Sequence, residues 1–215
     1  MSQSTTIDGY NQVAGNYATK FLDELKNKPL DRLLLNDFAA QASLLARRII
    51  DFGCGPGQTT RFLHDSGLNN VLGTDISSGM IEAARVHHKG IDGLNFEVAD
   101  MLNLPYPNNS FTGAIAFYSI VNFDYDQIVI AFKEISRVLQ MNALFLFSFH
   151  VGEEIVHLSE FLDQPVNMTF YFLNPDRIHT LLQEAGFEVV QTVIRYPYDQ
   201  IEHPSKRAYI TAQKR

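Results

Sequence analysis

The sequence predicts an α/β fold, one largely parallel sheet with helices on both faces, and three observations carry that expectation. Short apolar runs alternate with segments of helical period from residue 49 to residue 149. A glycine cluster stands where the first of these runs passes into its helix. The last two apolar runs are joined by a polar link too short for a crossover helix, so that pair is expected to be antiparallel.

Taken in order, apolar residues recur at helical spacing at Val13, Tyr17 and Phe21, then at Leu30, Leu33, Leu34 and Phe38, with Pro29 between the two sets. This predicts two helices between Tyr10 and about Ala46. Ile49 to Phe52 reads as a buried strand, and Gln58 to Asp65 as the helix after the glycine turn. The alternation continues with strand 70–75, helix 78–88, strand 94–99, a Pro/Asn loop at 105–109, strand 112–118, helix 125–139 and strand 143–149. Residues 151–173 are aromatic but show neither period and are expected to be irregular. A helix after Asn174-Pro175 ends at Gly186, and strands 187–195 and 207–213 follow across the link from Tyr196 to Lys206. No repeat or interdomain linker interrupts residues 1–215, so a single domain is expected.

The 215 residues are 46% hydrophobic and 19% charged, enough to bury a core on both faces of a sheet. The formal net charge is -7 with no Lys/Arg-rich stripe, which argues against a nucleic-acid partner. The longest strongly apolar run, Ala143 to Phe149, is far too short to span a bilayer, so no membrane association is expected. The lone Cys54 can form no internal disulfide and the polar opening lacks the pattern of a secretory leader, which together predict a cytoplasmic location. The seven histidines and single cysteine show no zinc-ligand spacing, and no metal is expected.

The run Asp51-Phe52-Gly53-Cys54-Gly55-Pro56-Gly57 places glycines where a strand becomes a helix. Glycine there lets the backbone turn tightly and approach a ligand with no Cβ between. Asp75 ends the next strand, beside that turn, where a carboxylate can accept from two ribose hydroxyls. Either feature alone has a plainer reading, a structural turn or a solvated Asp; the pair at this spacing predicts a nucleoside site.

These residues resemble the glycine motif and acidic second-strand motif of class I S-adenosylmethionine methyltransferases. Val98-Ala-Asp100-Met101 with Leu104-Pro105 resembles their third motif, and Ser110 to Phe117 their fourth. The resemblance implies a Rossmann-like sheet of order 3-2-1-4-5-7-6 with strand 7 antiparallel. It also implies S-adenosylmethionine as methyl donor, S-adenosylhomocysteine as product and a small-molecule acceptor. Its quinone-pathway members commonly carry a histidine near the end of the fourth motif, where this chain has Asn122-Phe123.

By the same resemblance Asp51 organises the glycine turn, Gly53 offers its carbonyl to the methionyl ammonium, and Gly55 and Gly57 leave the turn open. Asp75 accepts from the ribose, Ile76 covers the adenine, and Asp100 with the Met101 amide reads its edge. Phe117 supplies a further carbonyl, Met80 lies beside the cofactor, and Tyr17 reaches the methionyl carboxylate from a lid over about residues 8–27. Each of these side chains has a plainer reading as core or cap. Residues 151–173 are expected to shape the acceptor pocket, bordered by Arg195, Glu202, His203 and Arg207. Candidates for a base or positioner are Tyr10, Tyr118, His150 and His157. Two other functions stay open, a nicotinamide-dependent oxidoreductase and a catalytically silent S-adenosylmethionine-binding module. Monomer and homodimer are equally compatible with the sequence.

Overall fold

A computed structural model describes residues 3–45 and 48–215. The chain opens with helix α1 (Gln3–Phe21), a 3-10 turn at Glu24–Asn27 and helix α2 (Pro29–Leu45). Strand and helix then alternate: β1 (Ile49–Phe52), α3 (Gln58–Asp65), β2 (Val71–Asp75), α4 (Ser78–His87), β3 (Leu94–Val98), β4 (Phe111–Phe117), α5 (Tyr125–Val138) and β5 (Leu139–His150). The final third holds β6 (Ile155–Phe161), β7 (Gln164–Tyr171), α6 (Pro175–Glu184), β8 (Phe187–Arg195) and β9 (Arg207–Lys214).

Seven strands form one sheet in the order β3-β2-β1-β4-β5-β9-β8. The first five are parallel, and β9 runs antiparallel to both β5 and β8. Leaving β6 and β7 out of the count, this is the order expected. Alternation along each strand serves two cores. On β5, Phe145, Phe147 and Phe149 face α5 and α6 with Phe132, Ile135 and Leu182, whereas Leu144 and Leu146 join Leu35, Phe38, Leu63 and Ile81 on the opposite face. Local caps fix the helix starts. Asp124 and Gln127 form a capping box on α5, the Ser77 side chain accepts from the Met80 N–H on α4, and Asn174 caps α6 ahead of Pro175.

The expectation of an irregular segment at 151–173 is corrected: β6 and β7 pair as an antiparallel hairpin outside the main sheet. Its two-residue turn places Leu162 and Asp163 at φ of 53° and 61°, the left-handed geometry that usually selects Asn or Gly. Leu-Asp carries no such signal, which is why the turn is hidden in the sequence. A register shift between Leu158 and Glu160 also breaks the two-residue period.

Candidate active site

The strand order reverses between β1 and β4, and ligands of open α/β sheets bind in the crevice beyond the carboxyl ends of the strands at such a point. The loops after β1, β2 and β4 meet there. Gly53 and Gly55 have φ of 65° and 54°, which strain a residue with a side chain. At Gly53 space is equally limiting, since a Cβ would stand 2.2 Å from the Ser119 Cβ. At Gly55 a Cβ would meet only the Tyr17 ring, at 3.7 Å, so the turn keeps an open floor.

Asp75 holds this turn from the side. Its Oδ2 accepts from the Gly55 N–H at 3.0 Å and its Oδ1 from the Ser77 N–H at 2.8 Å. Burial pushes its carboxyl up to about 6 against these bonds. Asp51 is 1% exposed, and burial, with the nearby Asp75 charge, pushes it up to about 7. Its hydrogen bond runs to the Thr60 hydroxyl on α3 at 2.7 Å, so it ties turn to helix rather than bonding a glycine amide.

Two adjoining cavities open on the turn. The smaller, about 100 Å³, is lined by Gly53, Gly55, Asp75, Ile76, Met80, Asp100, Met101 and Phe117, together with Tyr10, Tyr17 and Tyr118. The structure thus gathers nearly every residue expected at the cofactor. Two stand differently. Asp51 borders the larger cavity, and Gly57 borders neither: a Cβ there would lie 2.7 Å from the Phe96 ring, so Gly57 is required by packing under α3. Asp100 also performs the plainer role, its Oδ1 accepting from the Leu102 N–H at 2.8 Å.

The larger cavity, about 630 Å³, has an apolar wall from the hairpin, Val156, Leu158, Phe161 and Phe170, with Phe172 beyond it. Its other side is charged, with Lys28, Asp31, Glu202 and Arg207 beside Tyr118 and His150. His150 donates or accepts at Nδ1 with the Ser205 hydroxyl, 2.8 Å away, and burial with the surrounding cations pushes its imidazole down to about 3. It is therefore neutral and weakly basic. His157 is exposed on the hairpin and lines neither cavity, while its Nδ1 lies 2.9 Å from Oγ1 of the buried Thr169, which borders the smaller cavity. Tyr10 exchanges a hydrogen bond with Asn122, whose Nδ2 donates at 3.0 Å, so Asn122 anchors the first helix.

Sequence reasoning missed Asn11, whose Oδ1 accepts from the Ser77 hydroxyl at 2.7 Å and the Gly79 N–H at 2.9 Å. It also missed Asp31 and Tyr209, which carry no local motif. The left-handed φ of 53° at Tyr118, at the end of β4, marks a strained residue beside both cavities. Among the described residues no group of three or more His, Cys, Asp or Glu is assembled to hold a metal, and no helix is long and apolar enough to cross a membrane.

The open glycine floor and the buried Ser119 Oγ, which makes no hydrogen bond on the wall of the smaller cavity, fit a ligand with polar atoms of its own. Comparison with known proteins agrees. Residues 49–142 match the methyltransferase domain family. An O-methyltransferase of Pyrenophora dematioidea is 29% identical over 68% of this chain and 56% of its own length. The ubiquinone/menaquinone biosynthesis C-methyltransferase UbiE of Rickettsia bellii is 29% identical over 84% of this chain and 85% of its own. The chain spans about half the length of the O-methyltransferases of Pyrenophora dematioidea and Penicillium expansum that it matches, 56% and 52%. In fold it resembles a S-adenosylmethionine-dependent methyltransferase from Methanosarcina mazei, with a TM-score of 0.70 at 19% identity over 78% of this chain and 92% of that one. In its four motifs and its sheet order, and through these relatives, the chain is similar to the class I S-adenosylmethionine-dependent methyltransferases.

Proposed function

We propose that the chain transfers a methyl group from S-adenosylmethionine to a small, mainly apolar acceptor. The observation that carries this is the adjacency of two differently built cavities at the strand-order switch. One has a bare glycine floor and a ribose-competent carboxylate; the other has an apolar wall facing polar groups. Phe117 and Tyr118 border both. The relatives named as O-methyltransferases support an oxygen acceptor.

When bound, S-adenosylmethionine supplies a methyl group already activated on a sulfonium. The chain then has to hold two reactants in line and keep water out. Such positioning can lower a barrier by roughly 7–11 kcal/mol without a metal or covalent intermediate. Asp75 would take the ribose hydroxyls on the lone pairs left by Gly55 and Ser77, Ile76 and Met80 would bracket the base, and Asp100 with Met101 would reach its edge. Tyr17, from α1, would close the methionyl end. Val156, Leu158 and Phe161 would hold the acceptor's apolar part and exclude water. In this reading the protein works in the cytoplasm, as monomer or homodimer, with no nucleic-acid or membrane partner; its charge of -7 and single buried Cys54 support that setting.

Calorimetry with S-adenosylhomocysteine is the direct test. Micromolar binding, about -8 kcal/mol, is the expected result. Binding of NAD in its place would overturn the reading. Incubation with S-adenosylmethionine and a metabolite extract should then release S-adenosylhomocysteine, which a silent binding module would not do.

A further inference from the structure

Transfer of a methyl group to a neutral hydroxyl leaves one proton to be removed, and of the carboxylates on the larger cavity Glu24 is paired to Lys28, and Glu202 to Arg195 and Arg207. His150 is neutral and weakly basic, with a ring packed on Phe172 at 5.2 Å and Nδ1 engaged by Ser205. His157 lies outside. Tyr118 borders both cavities, and behind it runs a chain of short hydrogen bonds. Its hydroxyl is 2.9 Å from that of Tyr209, and the Tyr209 hydroxyl donates to Asp31 Oδ1 at 2.8 Å. Arg195 Nη2 donates to the same Tyr209 oxygen at 2.7 Å. Because the only Tyr209 proton points to Asp31, the Tyr118 proton points to Tyr209. The free lone pair of Tyr118 is left to accept from a ligand.

We propose that Tyr118, Tyr209 and Asp31 form a proton relay that removes the hydroxyl proton of an apolar, hydroxylated acceptor bound in the larger cavity. This rests on the methyl-transfer reading above. The acceptor O–H bond breaks as its proton passes to the Tyr118 oxygen; the Tyr118 proton passes to Tyr209 and the Tyr209 proton to Asp31. Both tyrosines end neutral, one carboxylate becomes a carboxylic acid, and the acceptor oxygen keeps the electron pair it uses on the methyl carbon. Asp31 Oδ2 makes no hydrogen bond and Asp31 borders the same cavity, so the carboxyl can lose its proton there before the next acceptor arrives.

The surroundings suit that task. Asp31 is 1% exposed, and burial raises its carboxyl above the usual range although Lys28, Tyr209 and Arg195 oppose the rise. Facing the chain are Lys28 before α2, Arg195 on β8, Glu202 and His203 in the 196–206 link, Arg207 on β9 and His150 on β5. The Lys28 ammonium, 5.2 Å from the Tyr118 ring centre, favours negative charge developing beside it. Tyr118 is the catalytic residue of the three; Tyr209 and Asp31 act through it.

A spectroscopic titration tests this without any turnover. The full chain, saturated with S-adenosylhomocysteine, is mixed with 4-nitrophenol at a pH below that phenol's own ionisation. The phenolate band then reports capture of its proton. Wild type is expected to generate the band. Tyr209→Phe, which keeps the ring and does not border either cavity, is expected to give roughly tenfold less, the change that one pKa unit makes. Its affinity for S-adenosylhomocysteine, measured by calorimetry, should be unchanged and so certify the fold. Tyr118→Phe should lose the band likewise. No band with wild type, or an undiminished band with Tyr209→Phe, overturns the relay. Failure of wild type to bind S-adenosylhomocysteine overturns the methyltransferase reading instead.

Discussion

Asp75 fixes the glycine turn and at the same time faces a cavity. It is half-buried against the Gly55 and Ser77 amides, on the wall of the smaller cavity. Replacing it with Ala should weaken S-adenosylhomocysteine binding by about 1.5–3 kcal/mol, a charge-assisted bond lost, with the fold retained. Because desolvation pushes its carboxyl up to about 6, wild-type affinity should also fall as pH drops through 6, as protonation removes its acceptor capacity. Both effects are read by calorimetry, and equal affinity at pH 5 and pH 8 would exclude Asp75 from the ribose.

Asp51 supplies the stability counterpart. Its folded value near 7 lies above the ordinary 3.8, so between those two values the folded state holds more protons than the unfolded one. Stability from this group is therefore present at low pH and lost as pH rises through 7. Asp51→Asn, which can still accept from Thr60, should melt higher than wild type above pH 7, with the difference vanishing below pH 4. A gap of about 2–4 °C corresponds to ~1 kcal/mol in a domain of this size. Gly53→Ala should do the opposite, through the left-handed φ, about 1–2 kcal/mol, and through the clash with Ser119. Adding Ser119→Gly should recover the clash part only, and a thermal double-mutant cycle separates the two.

At the scale of elements, α1 and the hairpin both line the two cavities. The face of α1 carrying Val13 and Ala14 packs on Met80 of α4, and Asn11 binds the first turn of that helix. Asn16 Nδ2 donates to the Leu162 carbonyl at 2.9 Å, joining α1 to the hairpin turn. We propose that this helix is a lid, closed in the arrangement described here and drawn from the less stable part of the fold. Hydrogen exchange over residues 3–21 should then show weak protection in free protein and strong protection with S-adenosylhomocysteine. Asn11→Ala should speed exchange in that segment while leaving β4 and β5 unchanged. Strong protection independent of ligand would mean that the helix is a permanent part of the core.

At the scale of the molecule, the two ends of the chain are clamped by one buried ionic cluster. Arg195 on β8 reaches Asp31 on α2 at 3.2 Å and Glu202 at 2.6 Å, and Tyr209 on β9 donates to the same Asp31. Those ion pairs hold Glu202 down at about 2 against burial, so its contribution is present above the usual carboxylate range and lost as pH falls toward 2. Arg195→Ala would take from two buried carboxylates their shortest ion pair, leaving Glu202 with Arg207 at 3.4 Å and Lys28 at 3.7 Å. A loss of about 3–5 kcal/mol is expected, seen as a lower urea midpoint with unchanged slope. A loss below 1 kcal/mol would show that the cluster contributes position rather than stability.

The sequence by itself determined the seven-stranded sheet, the antiparallel final pair, the glycine turn and its acidic partner. All of these are written in local period, in glycine placement and in short spacings along the chain, and local sterics act on such features directly. Tertiary structure alone decided the hairpin, because Leu162-Asp163 occupy turn conformations those residues seldom adopt and a register shift masks the strand period. It alone joined Tyr118 to Tyr209 and Asp31, which lies 178 positions from Tyr209, since no residue type or spacing announces a contact between strand end, final strand and second helix. It also set Gly57 against Phe96 and His157 beside Thr169, off the walls of both cavities. Only the packing of Phe96 beneath the turn, and the face that His157 takes on the hairpin, settle where those side chains or their absence act.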